Sequence, residues 1–355
     1  MIIGSSKGVI CLINKTNFFN ILASIFLLIG YSNFLKAEFQ NFMPTDERVE
    51  ELEESLTFLG QTIHQASLAG SRYPQIEDRM IAETLDSSIK YYGVYDGHGG
   101  SIVSEYLAKN FHKYLDQNRN MWINNPEKLT DFFQKFNNNI LLGLKNEILS
   151  KAQDSDHARK MGTGGSTASL MINIPWQDKL IFATLGDSPV MVVSKDGQVY
   201  KSIDHEPLRE EEKRAVESKG GRVQKLKHTP IIGNKVYPAL EVGKVVYPAL
   251  AGQGRLAVTR AFGDLLASPY ISAKPDIYIF PKNQVAFVML ASDGLGEAFY
   301  FSGWNNTLGS LNWLAHDINL LMADDRGDDI AKRYLDSLKA HAKLGTDDIS
   351  LMIIQ

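Results

Sequence analysis

"KYYGVYDGHGGSIVSEYLAKNF", Lys90–Phe111, joins two unlike patterns with almost nothing between them. Tyr91–Tyr95 is an unbroken run of β-formers, the pattern of a buried strand. It stops at Asp96-Gly97-His98-Gly99-Gly100, and helical spacing begins at once: Ile102, Val103, Tyr106, Leu107 and Phe111 share one face. An acid, a histidine and three glycines thus stand where a buried strand hands over to a helix.

Outward from this junction the chain reads as short strands interrupted by helices. The predicted strands are Tyr91–Asp96, Thr167–Ile174, Lys179–Asp187, Val190–Ser194, Leu256–Thr259, Ile277–Phe280, Val285–Ser292 and Ile349–Ile354. Predicted helices are Ser101–Gln117, Pro126–Ser150 behind an Asn-Pro start, Arg209–Lys219 closed by Gly220-Gly221, and Asp328–Ala342. Strands and helices grouped rather than alternating predict an α+β fold of stacked layers. "KVYPAL" at Lys235–Leu240 is nearly repeated as "VVYPAL" at Val245–Leu250. Two copies cannot build a solenoid, so this reads as an insertion in a surface flap, residues 224–253.

With 355 residues, 44% of them apolar and 22% charged, the chain can bury a large core. A net charge of -4 offers no general attraction for nucleic acid. The one cysteine, Cys11, leaves no disulfide and no cysteine nucleophile for the folded part. Residues 16–35 carry no charge and follow Lys7 and Lys15, with "FFNILASIFLLIGY" (Phe18–Tyr31) at their centre. Residues 1–37 therefore read as a signal peptide or membrane anchor. That would place the protein outside the cytoplasm or on a membrane, and otherwise in the cytoplasm. Residues 38–57 read as a linker, and residues 58–355 as the folded domain.

Acidic residues recur where apolar runs stop. Asp96 ends "YYGVYD", Asp187 ends "LIFATLGD", Asp293 ends "VAFVMLASD", Asp347-Asp348 opens "DDISLMII", and Glu77-Asp78 precedes "RMIAE". Oxygen donors without cysteine suit a hard divalent cation rather than zinc. Gly97 and Gly294 follow two of these acids, where a missing Cβ would let backbone approach closely; a hairpin turn is the plainer reading of any single Asp-Gly.

These stretches, taken together, resemble the metal-dependent serine/threonine protein phosphatases of the type 2C family. The resemblance runs in family order through "VYDGHGG" (Val94–Gly100), "GGSTASLMI" (Gly164–Ile172), "LIFATLGDS" (Leu180–Ser188), "SIDHEPLREEEKRAVESKGGRV" (Ser202–Val223), "GRLAVTRAFGD" (Gly254–Asp264), "KPDI" (Lys274–Ile277), "VMLASDGL" (Val288–Leu295) and "GTDDISLMII" (Gly345–Ile354). It implies a central antiparallel β-sandwich of two sheets flanked by helices, α-β-β-α. It also implies two or more Mg²⁺ or Mn²⁺ ions, phosphorylated proteins as substrates, and a monomer.

By the same resemblance Asp96 bridges two ions, the Gly97 carbonyl serves one of them, and Asp293 and Asp347 complete the other. Asp348 is the second choice for the last role. Glu77 and Asp78 act through metal-bound water, Asp187 at a looser site, His98 as the acid for the leaving oxygen, and Arg72 as the phosphate clamp. The chain departs from the family at Pro189 in "GDSP", and at Gly296 and Glu297 in "DGLGE", which keeps Glu297 as a candidate ligand one methylene longer than usual. These departures motivate an alternative: the same fold serving as a pseudophosphatase, a binding module.

Overall fold

In the computed structural model the described residues are 54–58, 61–70, 75–150, 155–229, 231–232, 235–236, 239–249, 253–301, 315–320, 322, 329–341 and 347–355. The expected signal peptide or anchor at 1–37 lies outside them, as do Arg72 and most of the linker. Among the described residues no helix is long and apolar enough to cross a membrane.

The strands are β1 (Glu54–Phe58), β2 (Gln61–Leu68), β3 (Arg79–Thr84), β4 (Lys90–Tyr95), β5 (Ala168–Asn173), β6 (Lys179–Leu185), β7 (Val190–Ser194), β8 (Val199–Lys201), β9 (Arg222–His228), β10 (Leu240–Pro248), β11 (Gln253–Leu256), β12 (Asp276–Pro281), β13 (Val285–Ala291) and β14 (Ile349–Ile354). The main helices are α1 (Ile102–Gln117), α2 (Leu129–Ser150), α3 (Ser155–Thr163), α4 (Glu210–Ser218), α5 (Gly294–Phe301) and α6 (Ile330–His341). β1 takes in residues assigned above to the linker.

Two antiparallel sheets form the centre. One has six strands in the order β1-β2-β14-β13-β7-β8, the other five in the order β12-β6-β5-β4-β3. Every residue of β4 is buried, and alternation sends its side chains to different places. Tyr92 and Val94 meet Phe182, Val192, Leu290 and Met352 between the sheets. Tyr91 and Tyr95 face the opposite way, against Leu107, Phe111 and Phe133 of α1 and α2. A strand covered on both faces has no solvent side, which is why the run in β4 is continuous. On the far side Met289, Leu351 and Ile353 pack against Ala331, Tyr334 and Leu335 of α6. The result is the expected four-layer α-β-β-α sandwich.

The expected flap is a sheet of its own, β9-β10-β11, with Val245–Pro248 of the second copy of the repeat in β10. Val245 and Tyr247 of that copy are buried with Val216, Leu256 and Val258. These two residues of the copy therefore pack into a satellite core within the flap. A Cβ on Gly254 would collide with the Tyr247 ring. The strand expected at Leu256–Thr259 ends at Leu256, and β1, β2, β3, β8, β9 and β10 are absent from the predicted strands.

His112 on α1 is 3% exposed, and neither ring nitrogen has a hydrogen-bond partner among the described residues. Burial, with Lys113 adding to it, pushes its pKa down to about 4. The unfolded chain thus binds a proton the native protein refuses. The stabilisation is complete above the ordinary value of 6.5 and is lost as the pH falls towards 4, by about 3 kcal/mol in all. Replacing His112 by Phe should flatten this acid loss in urea titrations compared at pH 7 and pH 4. An equal loss in both proteins would refute it.

Candidate metal centre

The strand register brings the acids to one end of the sandwich. Arg79 of β3 opposes Tyr95 of β4, so Glu77-Asp78 and Asp96 leave the five-stranded sheet together. Ala168 opposes Leu185, which puts Asp187 at the same end. From the other sheet Ala291 opposes Leu351, so Asp293 and Asp347-Asp348 flank one another.

Asp96 lies at the middle of the group. Burial raises its pKa well above the usual carboxylate range, and the charges of Asp293, Asp78, Asp187 and Asp347 raise it further. Among the described residues its Oδ2 accepts long hydrogen bonds from Ser188 Oγ at 3.3 Å and from the Asp293 N–H at 3.4 Å. Asp187 is raised in the same way by burial and by Asp293, Asp204 and Glu206. Asp78 is pushed up to about 8 by burial and by Asp348 and Asp293, partly offset by the Ser292 and Ser350 hydroxyls. Burial also raises Glu77. Glu77 Oε2 and Asp78 Oδ2 are buried oxygens without a hydrogen-bond partner among the described residues. Crowded carboxylates that raise one another, with oxygens left over, are the donor set a hard cation satisfies. Among the described residues no three such side chains already stand as a closed coordination group; the acids converge within electrostatic reach.

Both Asp-Gly steps serve close approach rather than hairpin turns. Neither Gly97 nor Gly294 is among the positive-φ glycines. Gly97 lies in a two-residue strand, and a Cβ there would collide with the Glu77 carbonyl. Gly294 opens α5, and a Cβ there would collide with the Asp348 carbonyl.

The two candidates at the last strand separate cleanly. Asp348 is 4% exposed and spends both oxygens on backbone: Oδ1 accepts from Gly70 N at 2.8 Å, and Oδ2 from Glu77 N at 2.7 Å. Asp348 therefore ties the Glu77-Asp78 segment to β14. Asp347 stands nearer the surface and acts electrostatically on both Asp96 and Glu77. Glu297, expected as a ligand, accepts the Asp347 N–H at Oε2, 3.1 Å away. Gly296 stands in open space, so no packing demands a glycine there.

His98 holds Asp264 through Nε2 and Oδ2 at 2.8 Å. Burial would lower the histidine pKa, but the Asp264 charge and hydrogen bond, with Asp187 and Glu77 beyond, raise it overall. In the sequence Asp264 stands out only as the end of "GRLAVTRAFGD", and Asp204 and Glu206 only as members of "SIDHEPLREEEKRAVESKGGRV". Their sequence signal was an acid inside a matched motif, without a strand end to mark it. Arg79, not singled out above, donates to the Ile76 and Asp78 carbonyls at 2.7 Å and to Glu105 at 2.6 Å, bracing the segment that carries Glu77.

Comparison with known proteins follows the same lines. The family model "Protein phosphatase 2C" matches residues 69–299. "Probable protein phosphatase 2C 44" of Oryza sativa subsp. japonica is 29% identical over 284 residues, 79% of this chain and 73% of its own length. "Probable protein phosphatase 2C 62" of the same species is 32% identical over 234 residues, 63% and 67% of the two chains. "Probable protein phosphatase 2C 11" of Arabidopsis thaliana is 29% identical, and the match spans only 53% of it. Among solved structures, a C. elegans sex determining protein superposes with a TM-score of 0.58 at 25% identity, over 82% of this chain and 64% of that one. The serine-threonine phosphatase 2C of Toxoplasma gondii superposes at 0.57 with 17% identity, over 87% and 99%, a likeness of fold. Motifs in family order, a shared sandwich and a family match over most of the folded part agree: this chain belongs to the protein phosphatase 2C family.

Proposed function

We propose that the protein hydrolyses phosphoserine and phosphothreonine in proteins at a centre of two or more Mg²⁺ or Mn²⁺ ions. Family membership implies a protein phosphatase; the metal centre and its residue roles are the finer reading. One observation carries it: the strand register brings Glu77-Asp78, Asp96, Asp187, Asp293 and Asp347 to one end of the sandwich, with Glu77 Oε2 and Asp78 Oδ2 buried and without a hydrogen-bond partner among the described residues. Such a group is costly unless positive charge neutralises it.

Asp96, Asp293, Asp347 and the Gly97 carbonyl are the proposed direct holders, with Glu77 and Asp78 behind them and Asp187 towards Asp204 and Glu206. Bound ions would supply Lewis-acid activation of a water and neutralise charge on the phosphoryl oxygens. The chain itself orients the site. Asp348 and Arg79 fix the Glu77 segment, Glu297 steadies Asp347 through the Asp347 N–H, and His98 protonates the departing serine or threonine oxygen. Nothing observed favours the pseudophosphatase alternative, since the central acids are intact.

The test is phosphate release from a phosphothreonine peptide by the purified full chain with Mn²⁺. Turnover stopped by a chelator and restored by metal is expected. A folded protein without metal-dependent turnover would overturn the reading in favour of a binding module.

A further inference from the structure

The His98–Asp264 pair is built by a small sheet of its own. Gly97–His98 pairs with Gly165–Ser166, which pairs on its other side with Phe262–Gly263. His98 lies opposite Gly165, and Gly165 lies opposite Gly263, next to Asp264. A Cβ on Gly165 would fall onto both Asp264 Oδ2 and His98 Nε2. The missing side chain is the space in which the two groups meet.

The third strand is anchored by the core. Phe262 is fully buried, with ring centroids 5.1 Å from Phe111 and 5.3 Å from Phe133. Gly263 N donates to Asn137 Oδ1 at 2.8 Å, and Asp264 N to the Gly164 carbonyl at 2.8 Å. Asp264 is 1% exposed, has φ of +50°, and leaves Oδ1 without a hydrogen-bond partner among the described residues. A left-handed backbone costs a non-glycine residue about 1–2 kcal/mol, and a buried orphan oxygen adds to that. No packing demand explains a carboxylate there. The imidazole it faces does.

We propose that Asp264 is the positioning residue for His98: its carboxylate engages Nε2 and so leaves Nδ1 as the nitrogen that delivers the proton to the leaving group. This rests on the acid role given to His98 above. In the step, the attacking water oxygen bonds to phosphorus while the bond from phosphorus to the serine or threonine oxygen breaks and its electron pair goes to that oxygen. The oxygen takes the proton from Nδ1, and the attacking water gives its own proton to solvent. The imidazole is left neutral, protonated at Nε2 towards Asp264, and regains its proton from solvent. Without the carboxylate the ring could rotate or take the other tautomer.

Asp264→Asn keeps the shape, and Asp264→Gly removes the group while relieving the backbone. Each is assayed on a phosphothreonine peptide, whose alkoxide must be protonated, and on p-nitrophenyl phosphate, whose leaving group needs no acid. The peptide rate should fall at least about 10-fold more than the aryl rate in both variants, within the range general acids contribute. His98→Gln should show the same bias, and adding Asp264→Asn to it should cost little more. In metal-free protein at a pH where the ring is neutral, ¹⁵N spectra of the imidazole should show its one proton on Nε2 in wild type and a changed proton distribution in Asp264→Gly. Equal losses on both substrates, full additivity with His98→Gln, or an unmoved ring spectrum would each overturn the proposal. If His98→Gln shows no leaving-group bias, the acid role falls and Asp264's role with it. A protein without any metal-dependent turnover fails the earlier reading instead.

Discussion

Replacing Asp96 by Asn should lower metal-dependent turnover by at least about 1,000-fold, about 4 kcal/mol of transition-state stabilisation. The same variant, stripped of metal, should melt higher than wild type. The two effects have one cause. Asp96 is buried against Asp293, Asp78, Asp187 and Asp347, so its charge is a liability until cations offset it. It gives up little in hydrogen bonding, since its Oδ2 contacts with Ser188 and Asp293 are long and an amide oxygen can still accept them. A gain of about 1 kcal/mol corresponds to about 2–4 °C for a domain of this size, and the Mn²⁺-induced rise in melting temperature should shrink. Asp293→Asn should behave alike, because its charge acts on both Asp96 and Asp187. Calorimetry with and without Mn²⁺, beside peptide assays, decides it. A variant that keeps most of its rate, or that melts lower without metal, contradicts the assignment.

Metal-free wild type should lose stability as the pH rises from 6.5 to 8. Asp78 has a native pKa pushed up to about 8 from the ordinary 3.8, so the native state holds a proton that the unfolded state has released. Its contribution is complete below the unfolded value and disappears as the pH climbs to the native one. Over 6.5–8 that is about 2 kcal/mol from this group, and Asp96 and Asp187 act in the same sense. His112 does not interfere, because its own transition is complete above 6.5. Saturating Mn²⁺ should flatten the slope, since cations replace the protons. Urea titrations in chelator at the two pH values are the measurement. Stability that rises or stays level over that interval would show that the acids do not crowd as described.

Much of the architecture was legible in linear order because it depends on local periodicity. The continuous run in β4 needs only neighbours to be read; of the one-face residues in α1, Val103, Leu107 and Phe111 are buried as expected, while Ile102 and Tyr106 lie exposed at the edge of that face. The acids that end β4, β6 and β13 were visible for the same reason: a charge directly after an apolar run has few places to go but the rim of the core. The flap was less legible, since Arg222–His228 becomes a strand only by pairing with Leu240–Pro248 across an intervening hairpin. Propensity for such pairing is weak without the partner.

What the amino-acid order determined by itself was the layered sandwich, the rim acids and the family to which they belong. Tertiary structure alone decided how neighbouring or identical residue types divide their labour. Asp347 and Asp348 are adjacent carboxylates, yet one faces the acidic group and the other ties Gly70 and Glu77 to the last strand. Asp264 meets His98 across 166 positions only because three two-residue strands close around a glycine. A carboxylate's role is set by which charges and donors surround it, and those neighbours come from segments far apart in the chain.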